Sequence, residues 1–480
     1  STEDFLAAMA DAGGVDGNKT DLSQMQRWYD QSGTPRLSVT MDYNAHAKAC
    51  ILHCEQFSPA SVQEGNGEES LKCESLDEIK CEAACSPFLI PLELGLLLPD
   101  GSEQGLQLEG ETEAQGTNRT LLLTEMKQSF TFINVRDKPL PSLLRGFSAP
   151  VELEYDYNLQ ELAFLMAHDS DSFNRWAAAQ RLVMQSLLKM VADGPEADVL
   201  VADAFACLLR DESLDISLKA ETLVLPSESD IAEACAKKPG AFFAPDLIHE
   251  AREALRLLIA NTLRTDLEAN YQSLAQAEGL GDAVMQQRRF KNICLSYLAL
   301  CNDEVSLELT AKQFNQATNM TDQYAALAAL SHCDCDERIT ALDHFEKQWS
   351  HEPNVMDKWF AVQAASSLPG TLEHVKALMK HEKFDMRNPN KVRALIGTFA
   401  MRNPAAFHAI DGRGYEFVSD QVLELNKLNP QVASRMVRAL INWKRVEPVR
   451  SRLMHSQLQR IADSEALSPD VYEIVSKSLA

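Results

Sequence analysis

Basic residues are under-represented in this chain of 480 residues, where 45 Lys and Arg stand against 70 Asp and Glu and the formal net charge is −25. A charge of this sign repels phosphate backbones and anionic lipid headgroups. We therefore expect no nucleic-acid partner and no membrane-surface role. The deficit is uneven, because residues 387–480 hold 14 basic and 9 acidic residues. This basic end either steers an anionic ligand or pairs with the acidic remainder of the chain.

Long apolar runs are missing as well. No run reaches about 18 residues, the length at which a transmembrane helix becomes a candidate, so we expect no membrane span. The first residues, STEDFLAAMADAGG, lack a basic region followed by an apolar core, so no targeting signal is expected in them. Aromatic residues make up only 7% of the chain while hydrophobic residues make up 45%, a balance that favours packed helices over disorder.

The eleven cysteines lack the spacing of a structural zinc site. Five of them cluster in one acidic segment: Cys50, Cys54, Cys73, Cys81 and Cys85. Four of these form two C-x3-C pairs, 50/54 and 81/85, whereas zinc knuckles commonly use C-x2-C. An inert or redox-labile insertion is favoured over a metal site there. Six others lie in stretches typical of mostly buried helices: Cys207, Cys235, Cys294, Cys301, Cys333 and Cys335. This usage indicates a reducing compartment, the cytoplasm or an organelle interior such as a chloroplast or mitochondrion.

The sequence motifs of common enzymes are absent. A zinc peptidase needs H-E-x-x-H, so that two histidines one helical turn apart face one metal, and the sequence offers only His-Glu pairs without the second histidine, at His249, His351 and His381. No nucleophile elbow, Walker loop or dinucleotide fingerprint follows a strand. The CDCD segment at Cys333 has chelating atoms but no distant partners. We predict no catalytic residue, metal ligand or cofactor within this chain.

The hydrophobic period changes twice along the chain. Residues 1–33 carry the spacing of two short helices, which could not bury their apolar faces alone. Residues 34–157 alternate with a period of two and contain turn signals, which predicts a small antiparallel β-sandwich. Residues 158–480 keep three-and-four apolar spacing, which predicts an α-helical superhelix of the HEAT or armadillo type. The predicted fold is therefore mixed, multidomain and mainly α.

Helix starts in the last part of the chain share one pattern. Asn388, Asn403 and Asn429 each precede a proline, and asparagine caps a helix whose first residue is proline. After Asn429, apolar residues recur at a spacing of four and Arg435 flanks their stripe. Taken alone, Arg435 either extends to water or pairs with a carboxylate.

Seven segments, in chain order, carry a resemblance to one enzyme family. They are WYDQSGTPRLSVTMDY at 28–43, PSLLRGFSAPVELEY at 141–155, NMTDQYAALAAL at 319–330, VMDKWFAVQA at 355–364, NPNKVRALIGTFA at 388–400, NPAAFHAIDGRGYEF at 403–417 and NPQVASRMV at 429–437. Together they resemble the C-terminal portion of the bacterial and plant-type aminopeptidase N family, zinc metallopeptidases of the gluzincin type. The similarity covers nearly the whole chain.

The resemblance implies an arrangement of domains. In that family a β-domain and a catalytic domain come first, then a β-sandwich, then a helical superhelix that caps the active site. Residues 1–33 would be the terminal helices of a missing catalytic domain, 34–157 a sandwich spacer with an acidic cysteine-containing insertion, and 158–480 the cap. The family's zinc ligands lie upstream of this chain. It is therefore expected to be inactive alone. The resemblance implies zinc as the cofactor of the missing catalytic domain, the N-terminal catalytic half as the partner of this chain, and peptides as substrates.

By their places in the matched motifs, Arg435, Arg393 and Gln431 resemble residues that line the family's substrate channel. Two functions stay open. The chain is either the cap region of a zinc aminopeptidase that removes N-terminal residues in peptide catabolism, or a catalytically inert descendant that serves as a structural or interaction subunit of a larger assembly. The segment from Cys54 to Cys85, the GNKT insert at 17–20 and CDCDERIT at 333–340 depart from the family pattern.

Overall fold

The computed structural model describes residues 1–13, 22–30, 33–57, 87–238, 240–275 and 279–480. The acidic segment with Cys73, Cys81 and Cys85, and the GNKT insert, lie outside the described residues. The chain divides into two compact units, Ser1–Ala179 and Gln180–Ala480.

The first unit contains two helices, seven strands and then further helix within its described residues. The elements are α1 (Thr2–Gly13), α2 (Arg27–Asp30), β1 (Arg36–Asn44), β2 (Ala49–Phe57), β3 (Ile90–Leu97), β4 (Arg119–Leu123), β5 (Lys127–Phe132), β6 (Leu140–Leu143), β7 (Glu152–Glu154), α3 (Leu159–His168) and the first part of α4 (Ser172–Asp193). The strands form two sheets, ordered β5-β2-β1-β7 and β4-β3-β6. All the pairs are antiparallel except β1 with β7, which run parallel.

The core of the first unit follows from the alternation of its strands. Leu37 and Val39 in β1, Leu52 in β2 and Leu92 in β3 are buried, while their sequence neighbours are not. Because side chains of a strand point to opposite faces in turn, this places one apolar face of each sheet against the other. Phe132 at the end of β5 is fully buried in the same cluster.

A buried ion pair ties the end of β6 to the first helices. Arg145 follows β6, is only 2% exposed, and donates from its guanidinium to Glu103 (2.8 Å) and Asp169 (3.0 Å). Its Nε also donates to Ser142 Oγ at 2.9 Å. Gly95 in β3 makes room for the guanidinium, since a Cβ there would lie 2.3 Å from Arg145 Cζ. The short turn Leu144–Phe147 thus holds a cation inside the unit.

The second unit is helical apart from one isolated bridge in its described residues. Its helices are the remainder of α4, then α5 (Val199–Arg210), α6 (Ile216–Leu223), α7 (Glu228–Cys235), α8 (Pro245–Thr262), α9 (Arg264–Ser273), α10 (Asp282–Leu298), α11 (Glu304–Gln316), α12 (Met320–Leu330), α13 (Asp336–Trp349), α14 (Pro353–Ala364), α15 (Thr371–Leu378), α16 (Pro389–Val392), α17 (Thr398–Arg402), α18 (Pro404–Phe407), α19 (Arg413–Leu428), α20 (Pro430–Val437), α21 (Pro448–Ala462) and α22 (Pro469–Leu479). Pairs such as α11 with α12 and α19 with α20 pack on each other. Stacked helix pairs of this kind are typical of solenoids.

The predicted fold class is confirmed: the chain is mainly α, with a small β-sandwich followed by helical repeats. Two details differ from the sequence expectation. The pairing of β7 with β1 is parallel, and β7 covers only Glu152–Glu154 of the alternating stretch 151–157, where the Tyr157 hydroxyl instead donates to Pro141 O at 2.7 Å. The boundaries 33/34 and 157/158 between domains stay predictions.

The three predicted Asn-Pro helix starts are confirmed. The side chains of Asn388, Asn403 and Asn429 accept hydrogen bonds from the backbone of Asn390, Ala406 and Val432, and each following proline is the first helical residue. The caps differ in burial, because Asn403 is 2% exposed and its amide also donates to Ala364 O (2.9 Å) and Ser366 O (2.7 Å).

Removing these caps should therefore lower the free energy of unfolding by different amounts. Asn429→Ala is expected to lower the free energy of unfolding by about 1 kcal/mol, the usual value of an N-cap. Asn403→Ala should cost about 3 kcal/mol, because it also leaves two buried carbonyls without donors. Urea unfolding of both variants measures the difference, and equal losses would contradict the assigned role of Asn403.

Candidate functional site

Arg435 and Gln431 lie on the outward side of α20. The helix buries Val432 and Met436, while Gln431 and Arg435, four residues apart, are exposed. Residues at this spacing are neighbours on a helix surface, so the amide and the guanidinium form one polar patch. The predicted helix start and its inward face are thus as the apolar spacing indicated.

Arg393 begins a π-turn. Residues Arg393–Gly397 join α16 to α17 with the wider hydrogen-bonding pattern of a π-helix, a rare feature that is frequent at functional sites. Lys391, two residues earlier, is buried and fixes the helix to α14, with its ammonium 2.7 Å from both Asp357 Oδ1 and Pro353 O. Arg393 is exposed. Anchoring by Lys391 therefore sets the direction in which the π-turn presents Arg393.

The two helices that carry these residues approach each other at Gly397. A Cβ on Gly397 would lie 3.5 Å from Met436 Cε and 3.8 Å from Arg393 Cβ. Met436 is the residue after Arg435, so the helix of Arg393 and the helix of Arg435 are direct neighbours. The structure therefore places Arg393, Gln431 and Arg435 on adjacent helices, all three exposed.

Among the residues that the structure describes, neither Arg393 nor Arg435 forms an ion pair. Arg435 has no hydrogen-bond or ion-pair partner for its guanidinium among the described residues. Within the described ranges, the Arg393 guanidinium forms hydrogen bonds to its own helix, with Nε 3.3 Å from Pro389 O and a second bond to the Asn390 side chain. A guanidinium without a carboxylate can offer planar, paired donors to a carbonyl or carboxylate of a ligand.

Two histidines of the His-Glu pairs, His249 and His381, each lie within hydrogen-bonding distance of a glutamate from an earlier helix. His249 lies 2.9 Å from Glu228, whose carboxylate raises the pKa of the imidazole. His381 Nε2 lies 3.0 Å from Glu346 and its ring packs on Trp359. Across the described ranges, no group of three or more His, Cys, Asp or Glu is placed to hold a metal ion.

The CDCD segment leads into a helix without a side-chain capping hydrogen bond. Cys335 is the residue before α13, and the Cys333 thiol is buried, 3.6 Å from Ala299 O and Ala329 O. Burial raises the pKa of the Cys333 thiol to about 11. Of the six cysteines expected in mostly buried helices, Cys294 and Cys333 are buried, Cys235, Cys301 and Cys335 are partly buried, and Cys207 is exposed on α5. Cys333 and Cys335 lie in the turn before α13 and not in a helix.

A groove that the sequence did not indicate lies between α10 and α12. It has a volume of about 900 Å³, and its lining includes Arg256, Arg289, His332 and Lys358 but no acidic side chain. Burial and the nearby Arg256 charge lower the pKa of His332. No local motif could have revealed the groove, because these residues come from separate helices. Arg256 and Arg289 are already paired, with Glu253 (2.8 Å) and Glu221 (2.7 Å).

Two family models match this chain, and each match lies mostly within one unit. A model described as "Domain of unknown function (DUF3458_C) ARM repeats" matches residues 159–480, and one described as "Domain of unknown function (DUF3458) Ig-like fold" matches residues 75–156. The chain belongs to the DUF3458_C family. Membership accords with the helical repeats of the second unit and the β-sandwich of the first.

Two bacterial aminopeptidases are similar to this chain over nearly its whole length. Aminopeptidase N of Escherichia coli (strain K12) is 39% identical over 100% of this chain and 52% of its own length. Aminopeptidase N of Haemophilus influenzae is 35% identical over 99% of this chain and 52% of its own length. The resemblance to the C-terminal portion of aminopeptidase N is confirmed. This chain spans about half the length of the curated relatives it matches.

A solved structure extends the comparison to the fold. The crystal structure of Legionella pneumophila aminopeptidase A in complex with aspartic acid superposes with a TM-score of 0.76 at 30% identity, covering 100% of this chain and 52% of that one. No helix in the described ranges combines the length and apolar character needed to cross a bilayer.

Proposed function

We propose that this chain is the C-terminal region of a zinc aminopeptidase, in which residues 158–480 cap the active site and line the path of the peptide substrate. Residues 1–33 would complete the catalytic domain and 34–157 would act as a spacer. The observation that supports the proposal most is the set of three motif-matched polar side chains, Arg393, Gln431 and Arg435, exposed on adjacent helices. Neither arginine has a carboxylate partner among the described residues.

The role of this chain in the reaction is binding. Arg435 and Arg393 would donate hydrogen bonds to carbonyls or to the C-terminal carboxylate on the leaving side of a peptide, and the Gln431 amide would add a donor and an acceptor. Charge-assisted hydrogen bonds in an enclosed cavity are stronger than those in bulk water. These groups would hold the peptide in register while its N-terminal residue is removed.

The residues described here do not fit a zinc site, since they bring no three metal-ligating side chains together. Zinc would supply a Lewis acid and an activated water from the preceding half of the longer protein. That half and peptides are the partners that follow from the proposal. The eight described cysteines are free thiols, which supports a reducing compartment, cytoplasm or organelle interior.

Arg435→Ala in the native enzyme that contains this chain should raise KM for tri- and tetrapeptides about tenfold, the usual loss of one charge-assisted hydrogen bond at a partly hydrated site. Hydrolysis of an aminoacyl p-nitroanilide, which has no peptide beyond the scissile bond, should change less than about twofold. Arg435→Lys should restore only part of the peptide affinity, because lysine lacks the planar pair of donors.

The matched control is Arg438→Ala. Arg438 is exposed on the same helical segment and has no ion-pair partner among the described residues, but it is not a motif-matched site residue. Its kinetics should equal those of the wild type, and both variants should keep the wild-type melting temperature. Unchanged peptide kinetics in Arg435→Ala would remove it from the site and favour the inert subunit.

A further inference from the structure

A second cationic surface, which includes neither Arg393 nor Arg435, lies where residues 236–238 and 240–242 meet the segment 444–452. A short parallel bridge holds them side by side: Phe243 N–H donates to Arg445 O, and Glu447 N–H donates to Phe243 O, both at 2.9 Å. Gly240, with a φ of +77°, turns the first segment into the bridge. Two basic stretches that are about 200 residues apart in sequence are thereby fixed next to each other.

Between these segments is a cleft of about 540 Å³, which we call the basic cleft. Its lining contains five cationic side chains and no acidic one: Lys237, Lys238, Lys444, Arg445 and Arg452. All five are exposed. None of them forms an ion pair within the described part of the chain, and the Lys444 ammonium instead lies 5.3 Å above the ring of Trp443.

Nearby carboxylates are engaged elsewhere. Glu447 accepts from the N–H groups of Val449 and Arg450 at the start of α21 and from the Arg450 guanidinium, and Asp246 also pairs with Arg450, at 3.2 Å. Although burial opposes it, these hydrogen bonds hold the pKa of Glu447 below its ordinary value. Glu447 and Asp246 therefore neutralise the buried Arg450. Glu228 and Glu233 line the neighbouring cavity together with Arg445, but Glu228 is hydrogen-bonded to His249, and neither forms an ion pair with the five cleft cations among the described residues.

A cluster of five positive side chains without ion-pair partners is unusual in a chain of net charge −25. Like charges in a cleft repel each other and concentrate counter-ions, so a multiply charged anion is the ligand that such a cleft favours. A long polyanion such as duplex DNA would extend beyond the cleft, and the acidic remainder of the chain would repel it. A compact anion with several charges matches both the size and the sign of the cleft.

We propose that the basic cleft binds a compact polyphosphate, whose charge density and tetrahedral oxygens suit a mixed set of lysines and arginines. The two sources of this chemistry are a nucleoside triphosphate and inorganic tripolyphosphate. Phe242 lies on the rim with 54% of its surface exposed and offers a face on which a nucleobase can stack. This site is separate from the proposed function and does not depend on it.

Isothermal titration calorimetry of the native protein with tripolyphosphate and, separately, with ATP tests the proposal, without divalent metal and at low salt. The wild type should bind, and Lys238→Gln/Arg445→Gln should weaken binding at least tenfold. The control Lys427→Gln/Arg438→Gln removes two exposed, unpaired cations outside the cleft and should change affinity less than twofold. Because all four positions are exposed, both double variants should keep the wild-type melting temperature.

Phe242→Ala distinguishes the two sources. Weaker ATP binding with unchanged tripolyphosphate binding identifies a nucleotide site, and no effect on either identifies a phosphate-chain site. The proposal is overturned if neither phosphate binds the wild type at millimolar concentration, if the control variant loses as much affinity as the cleft variant, or if a polyglutamate peptide binds more tightly than tripolyphosphate. None of these outcomes depends on peptide hydrolysis, so they leave the proposed function unaffected.

Discussion

Arg145→Met is expected to lower the free energy of unfolding of the first unit by about 3–5 kcal/mol, the cost of removing one partner from a buried ion pair. Arg145 and Asp169 are 2% and 0% exposed at their side chains, and Glu103 is 20% exposed. Without the guanidinium, two carboxylates would face each other with no cation between them. Guanidinium chloride unfolding, with Trp fluorescence as the signal, measures the loss.

The matched control is Arg136→Met, which removes an ion pair of similar length, 2.7 Å to Asp100, that is more than half exposed on both sides. It should cost no more than about 1 kcal/mol. Gly95→Ala should disrupt the same buried pair, because the added Cβ would overlap the Arg145 guanidinium. It should lower the free energy of unfolding by a similar amount to Arg145→Met. Equal stability of Arg145→Met and Arg136→Met would contradict the assigned role of the buried pair.

The stability of the Arg145→Met variant should also depend more strongly on pH than that of the wild type, with a known sign. Burial raises the pKa of Asp169 above its ordinary value of 3.8, so the folded state holds this proton more tightly than the unfolded chain. Stability from such a group is present at low pH and is lost as the pH rises through the raised value. The variant, lacking the cation that favours the carboxylate, should lose more stability than the wild type as the pH rises above 3.8.

Gly414→Ala is expected to destabilise the second unit by about 3 kcal/mol, at the upper end for overpacking. A Cβ at Gly414 would lie 2.3 Å from Phe407 O, and a backbone oxygen cannot rotate away as a side chain can. The start of α19 would have to separate from α18. That movement would also break the 2.8 Å hydrogen bond between Tyr415 and His408.

Gly397→Ala is the control for Gly414→Ala, since both glycines are helical but only Gly397 has space. Its added Cβ would make ordinary contacts, 3.5 Å to Met436 and 3.8 Å to Arg393, and alanine has the higher helix propensity. Thermal unfolding should show Gly397→Ala at or slightly above the wild-type stability. A loss in Gly397→Ala as large as that in Gly414→Ala would mean that the helices of Arg393 and Arg435 approach more closely than described.

Local patterns in the sequence predicted the features that depend on local physics. The alternation of Leu37 and Val39 predicted β1, and the Asn-Pro pairs predicted three helix starts with their caps. The place of Arg435 beside the buried face of α20 followed from the spacing of Val432 and Met436. Each of these depends on neighbours within one or two turns of the chain.

Features that depend on distant segments could not be predicted. The parallel partner of β1 is β7, more than 100 residues later, and no local pattern specifies that pairing. In its sequence context, Arg145 looks like a surface arginine. It can be buried because Glu103 and Asp169 accept hydrogen bonds from its guanidinium, and because Gly95 has no Cβ that would overlap it. The basic cleft likewise exists because Phe243 pairs with Val446.

A structure of the native protein, with all the chain that accompanies these residues and with a bound non-hydrolysable peptide analogue, would show whether Arg435 and Arg393 bind the substrate. We expect their guanidinium groups to lie within about 3 Å of a carbonyl or carboxylate of the analogue, directly or through one water. An analogue bound elsewhere, with both arginines facing bulk solvent on the outside of the assembly, would contradict this expectation.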